Sequence, residues 1–113
     1  GSMSLALYRN STDRNIQQCF VVQPESSWVA PVTNRIDEAL NPYLKHFEDL
    51  APVGAIHIQI VEGNPHLRSL LGWHLQQAGY QVHQSADLHQ AREVFLLKQP
   101  NLVILDAEMP SGD

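Results

Sequence analysis

From residue 56 onward the apolar positions of this chain switch back and forth between two periods. Ile56-His57-Ile58-Gln59-Ile60-Val61 alternates and is rich in β-branched residues, which predicts a strand. Glu62-Gly63-Asn64-Pro65 follows, with Asn64 suited to cap a helix and Pro65 to its first position, where a missing N–H is no loss. Leu67, Leu70, Leu71, Leu75 and Ala78 then recur at helical spacing until Gly79, which predicts a helix over about 65–78 with a left-handed stop. Residues 80–83 read as a short second strand. Asp87 and Gln90 make a capping-box pattern ahead of Leu88, Ala91, Val94 and Phe95, the buried side of a second helix that ends by Gln99-Pro100. Leu102-Val103-Ile104-Leu105 is apolar without a break and runs into Asp106, which predicts a third strand over 102–106, covered on both faces.

Strand, helix, strand, helix, strand with short connections requires parallel strands and right-handed crossovers, hence an α/β fold built on a doubly wound parallel sheet. In such a sheet the loop after the first strand and the end of the third strand lie side by side at the carboxyl edge, where these folds bind ligands. Glu62 and Asp106 are therefore expected to converge.

The first half is less regular. Residues 5–8 and 16–22 are plausible strands of a hairpin joined by Asn10-Ser11-Thr12-Asp13. Ile36, Ala39, Leu40, Tyr43, Leu44, Phe47 and Leu50 keep helical spacing across Asn41-Pro42, which implies either one amphipathic helix with a proline kink or two abutting helices capped by Asn41. Gly1-Ser2-Met3 reads as a tag-removal scar. Residues 4–54 read as an N-terminal extension and 55–113 as a separate unit, with the join near Ala51-Pro52-Val53-Gly54.

The charge pattern removes several function classes. The formal net charge of −5 divides into −2 for residues 1–55, with four basic and six acidic residues, and −3 for residues 56–113, with three and six. Neither half carries the basic stripe that phosphate neutralisation demands, so this segment is expected to make no direct nucleic-acid contact. The polar side of the 36–50 helix is net acidic, which argues against anionic lipid, and no long apolar run predicts a membrane span. A lone Cys19 and the missing leader pattern fit a cytoplasmic protein. Six histidines are scattered singly, without the close spacing of a metal site. Trp28 and Trp73 are read as packing residues ahead of contact aromatics.

Taken together, Ile60-Val61-Glu62 before Asn64-Pro65, the helix bounded by Leu70-Leu71 and Gly79-Tyr80, and Leu102-Val103-Ile104-Leu105-Asp106 followed by Met109-Pro110 resemble the first half of the receiver domain of bacterial two-component response regulators. The resemblance covers about half of the chain and implies a flavodoxin-like receiver fold. It further implies that Asp106 accepts a phosphoryl group from a histidine kinase, with Mg²⁺ held by Asp106, by Glu62 and by the backbone carbonyl of Glu108. Gly63 stands where the family usually has a second acid, so Mg²⁺ binding is expected to be weak or absent. The serine or threonine and the lysine that read the phosphoryl group in the family, with the last two strands, have no counterpart in these residues. The third strand would then present an apolar edge, to be covered by residues 17–22 or by a second copy of the chain in a homodimer, with the helix around 36–50 over a bare face.

The leading functional expectation is a receiver module of two-component signalling with Asp106 as phosphoacceptor and a histidine kinase or another signalling protein as partner. Beside it stands a degenerate pseudo-receiver that serves protein interaction or dimerisation without phosphotransfer. An enzyme using Asp106 and Glu62 as general acid and base has only the paired carboxylates behind it, without a nucleophile elbow, Cys/His pairing, Walker loop or dinucleotide fingerprint. The expectation is a phosphoacceptor at most.

Overall fold

A computed structural model describes residues 20–22, 24, 28, 33–48 and 51–106. Their order is β1 (Phe20–Val22), α1 (Thr33–Glu48), a 3-10 turn (Val53–Ala55), β2 (His57–Val61), α2 (Pro65–Gln77), β3 (Gln81–Ser85), α3 (Leu88–Lys98) and β4 (Leu102–Leu105). The four strands form one sheet in the order β1-β4-β2-β3, and all three pairings are parallel. The α/β doubly wound reading therefore holds, with β2 at the centre and the chain winding to β3 on one side and β4 on the other.

Local chemistry sets the helix bounds. Asn64 Oδ1 accepts from the backbone N–H of His66 at 2.9 Å and of Leu67 at 3.2 Å, with Pro65 in the first turn, so α2 starts where its orphan donors find a partner. Gly79 closes α2 at φ 101, a conformation that costs a side-chain-bearing residue. Asp87 Oδ1 accepts from Gln90 N at 2.8 Å, whereas Gln90 Oε1 reaches back to the N–H of Ala86 at 2.9 Å, one residue before the cap. The second strand runs on to Ser85, two residues past its predicted end.

Two apolar layers sandwich the sheet. On one face Ile58, Ile60, Leu102 and Ile104 meet Leu67, Leu71 and Leu75 of α2, together with Ile36, Leu40, Leu44 and Phe47 of α1 and the fully buried Trp28. On the other, Val61, Val103 and Leu105 meet Ala91 and Phe95 of α3. Because strand side chains alternate between faces, the unbroken run 102–105 is buried on both sides, as its sequence requires.

The first half of the chain completes this arrangement. α1 is a single helix with Pro42 inside it, so Asn41 starts no second helix. It shares a core with α2, where His74 Nε2 lies 2.7 Å from Asp37 Oδ1, and its last residue is held by the Tyr80 hydroxyl, just before β3, which donates to Glu48 Oε2 at 2.6 Å. β1 fills the flank of β4 from within the chain, with Phe20 opposite Leu102 and Val22 opposite Ile104. The other strand of the expected hairpin, residues 5–8, its turn, and Leu50 lie outside the described residues.

Candidate functional site at the carboxyl edge

The site follows from the register of the central strands. Val61 of β2 stands opposite Leu105 of β4, and the ladder continues one residue further, with Asp106 N–H donating to Val61 O at 3.1 Å and Glu62 N–H donating to Ser85 O at 3.0 Å. Glu62 and Asp106, 44 positions apart in the sequence, thus leave the sheet on neighbouring strands at its carboxyl edge. This is the convergence the strand order demanded.

Their environments differ. Glu62 is buried and Asp106 half-exposed. Burial raises the Glu62 carboxyl above the usual carboxylate range, and the adjoining Asp106, by charge and by hydrogen bond, pushes the same way, while the backbone N–H groups of Asn64 and Gly63 oppose it. Glu62 Oε2 accepts the Asn64 N–H at 3.1 Å, and Arg68 Nη1 donates to the Glu62 carbonyl at 2.8 Å. The loop holding the buried acid is therefore pinned from both its side chain and its backbone.

An acid held partly desolvated beside another is a half-built cation site, because a divalent ion relieves the repulsion that raises the proton affinity. Mg²⁺ is commonly held by one or two protein carboxylates with phosphate oxygens and waters completing its shell, so two carboxylates would suffice. Among the described residues no group of three His, Cys, Asp or Glu side chains forms a fuller metal cluster. Gly63 contributes no oxygen from a side chain, and Glu108, the third expected ligand, lies outside the described residues.

Arg68, Gln59 and Ser85 belong to the surroundings of this edge and were not singled out from the sequence. Gln59 is a polar residue flanked by isoleucines in a buried strand, and that mismatch was its signal. It is fully buried, and its Nε2 donates to Ala91 O at 2.8 Å and to Ser85 Oγ at 3.4 Å, tying β2 to β3 and α3 behind the acids. Arg68 carried a weaker signal: a cation near a helix N-terminus runs against the helix dipole, but that effect fades within the first turn.

Comparison with known proteins agrees with the fold class. The family model described as the response regulator receiver domain matches residues 58–113. Through these residues the chain belongs to that family, the receivers of two-component systems. Over 56 residues, half of this chain, it is 39% identical to transcriptional regulatory protein YxdJ of Bacillus subtilis (strain 168), covering 24% of that protein. The same identity over the same length relates it to the uncharacterized transcriptional regulatory protein YvcP of Bacillus subtilis (strain 168), with 24% covered, and to the probable transcriptional regulator ycf27 of Cyanophora paradoxa, with 23% covered. The chain thus spans about a quarter of the length of these curated relatives. No solved structure matches it. No described helix is long and apolar enough to cross a membrane.

Proposed function

We propose that the chain is a phosphoacceptor module of two-component signalling in which Asp106 is the nucleophile and Glu62, with the backbone carbonyl of Glu108, holds Mg²⁺ beside it. The observation that supports this most is the pairing of a buried, proton-affine Glu62 with a more exposed Asp106 on adjacent strand ends. A carboxylate oxygen of Asp106 attacks the phosphorus of a phosphohistidine, the P–N bond breaks, and the kinase imidazole leaves with the electron pair and takes up a proton. Asp106 is the acid able to do this because solvent reaches it, whereas Glu62 is enclosed and serves as a fixed charge. Bound Mg²⁺ supplies neutralisation of the two carboxylates and of the phosphoryl oxygens. The partner is a histidine kinase. A role in transcription, which the relatives' names carry, would reach this segment as signal input, since its sequence is net acidic and shows no basic stripe.

Gly63 supports a second reading, a pseudo-receiver that binds a protein partner without phosphotransfer, because the site then has one acid fewer to hold the cation. Incubation with a small phosphodonor and Mg²⁺, followed by intact-mass measurement, separates the two. A labile phosphoryl adduct that disappears in Asp106→Asn supports phosphotransfer. An unmodified chain, even with Gly63→Asp, establishes the pseudo-receiver instead.

A further inference from the structure

The opposite, amino-terminal part of the sheet carries a second pair of titratable side chains. His57 opens β2 and His83 sits on β3 opposite Gln59, so the two are diagonal neighbours on the sheet face that packs against α3. His57 Nδ1 and His83 Nε2 are 2.8 Å apart, their ring planes differ by 11° and their ring centres lie 5.1 Å apart. That separation of centres matches the nitrogen gap plus one centre-to-nitrogen length in each ring. The two nitrogens therefore face each other along the line of centres, since rings piled face to face at this spacing cannot bring nitrogens so close. A proton must lie between them, donated by one ring and accepted by the other. A metal ion bound to both needs lone pairs that converge on a third point, and nitrogens that face each other offer none.

The surroundings give this bond leverage. His57 N–H donates to Asn101 Oδ1 at 2.9 Å, and Asn101 N–H donates to His57 O at 2.8 Å, so the ring's strand is fastened to the loop that leads into β4. Among the described residues β3 is the outermost strand on this side and pairs only with β2. The groups that act on His83 are His57 on β2 and Lys98 in the last turn of α3, both basic. Burial first, and then these two charges, push the His83 imidazole below the usual histidine range and so favour its neutral form.

We propose that His57 and His83 form a proton-gated clasp: one shared proton fastens β3 to β2 at neutral pH, and protonation of both rings breaks the bond and loosens β3. The neutral pair has a donor and an acceptor. A first added proton keeps the bond, whereas a second leaves two cations facing each other beside Lys98. The sign follows from linkage. His83 binds its proton less readily when folded than when unfolded, so its contribution to stability is whole above the ordinary histidine value and is lost as pH falls through the lowered one.

Nitrogen-15 NMR of the full chain tests this directly. A scalar coupling between His57 Nδ1 and His83 Nε2 near neutral pH is expected, and it should vanish on acidification together with the hydrogen-exchange protection of Gln81–Ser85. His83→Phe should flatten the acid-side fall in Tm, while His89→Gln, at an exposed histidine of α3, should leave it unchanged. Rings that titrate independently without a coupling overturn the proposal. So do titrations that move when a chelator is added, which would assign the pair to a metal.

Discussion

Glu62 is a residue whose surroundings work against its own charge. Its carboxyl is raised on folding, so it favours the folded state in acid, and that contribution is lost as pH rises through the raised value. Ionising the side chain in these surroundings is a cost carried for the site. Glu62→Gln, which keeps an acceptor for the Asn64 N–H, should therefore raise Tm near pH 7, with the gain shrinking as the medium approaches the ordinary carboxylate range. If the proposed site holds Mg²⁺, added Mg²⁺ should raise the Tm of the parent chain and leave that of this variant unchanged. Calorimetry with and without Mg²⁺ checks both, and a lower Tm for the variant at neutral pH contradicts the assignment. Gln59 offers a contrasting case. Its Oε1 is buried without a hydrogen-bond partner, while its amide nitrogen is well used. Gln59→Leu removes a satisfied donor and an orphan acceptor together, so chemical denaturation should place it within about 1 kcal/mol of the parent. Gln59→Glu buries a charge in the same place and should cost several times more.

At the level of elements, α1 carries both a defect and an anchor. Pro42 lies in the helix interior with its side chain exposed, where proline removes a backbone hydrogen bond and crowds the preceding turn. Pro42→Ala should stabilise the protein by about 1 to 3 kcal/mol in denaturant titrations. Leu40→Ala, on the fully buried side of the same helix, should destabilise it by about 2 to 5 kcal/mol. Much of the element level was legible in the sequence, for reasons that are local. Asn64-Pro65, Gly79 and Asp87 are terminal signals whose chemistry acts within four residues, and the structure uses each of them. The meeting of Glu62 with Asp106 was legible as well, because parallel strands joined by helices leave few ways to order a sheet. Pro42 was ambiguous because a helix can absorb a proline when one whole side of it is buried, and burial is not a local property. The left-handed Gln99, at φ 49, carried no signal, since glutamine has no preference for that region. The histidine pair escaped notice for another reason: positions 57 and 83 are unrelated until register sets them diagonally across two strands.

Across the whole molecule, the first half of the chain supplies what the receiver-like half needs to close its sheet and its core. Residues 51–113 expressed alone would leave the β4 flank open and strip Ile58, Ile60, Leu71 and Leu75 of the α1 and Trp28 cover. Such a fragment should self-associate or fail to show cooperative unfolding, whereas the full chain should unfold in one transition; light scattering after size exclusion and thermal circular dichroism check this. A monomeric, cooperatively folding fragment would mean that α1 decorates the fold and does not support it.

Trp28 and Trp73 offer a readout of this packing that needs no label. Trp28 is 1% exposed and sits in the core layer that α1 and α2 share, while Trp73 is 59% exposed on α2. An iodide quencher should therefore dim one emitter and spare the other, and the spared, bluer light becomes a gauge of whether the leading segment is seated. Any ligand, kinase or acid pulse that unseats it would redden the emission before the rest of the molecule melts.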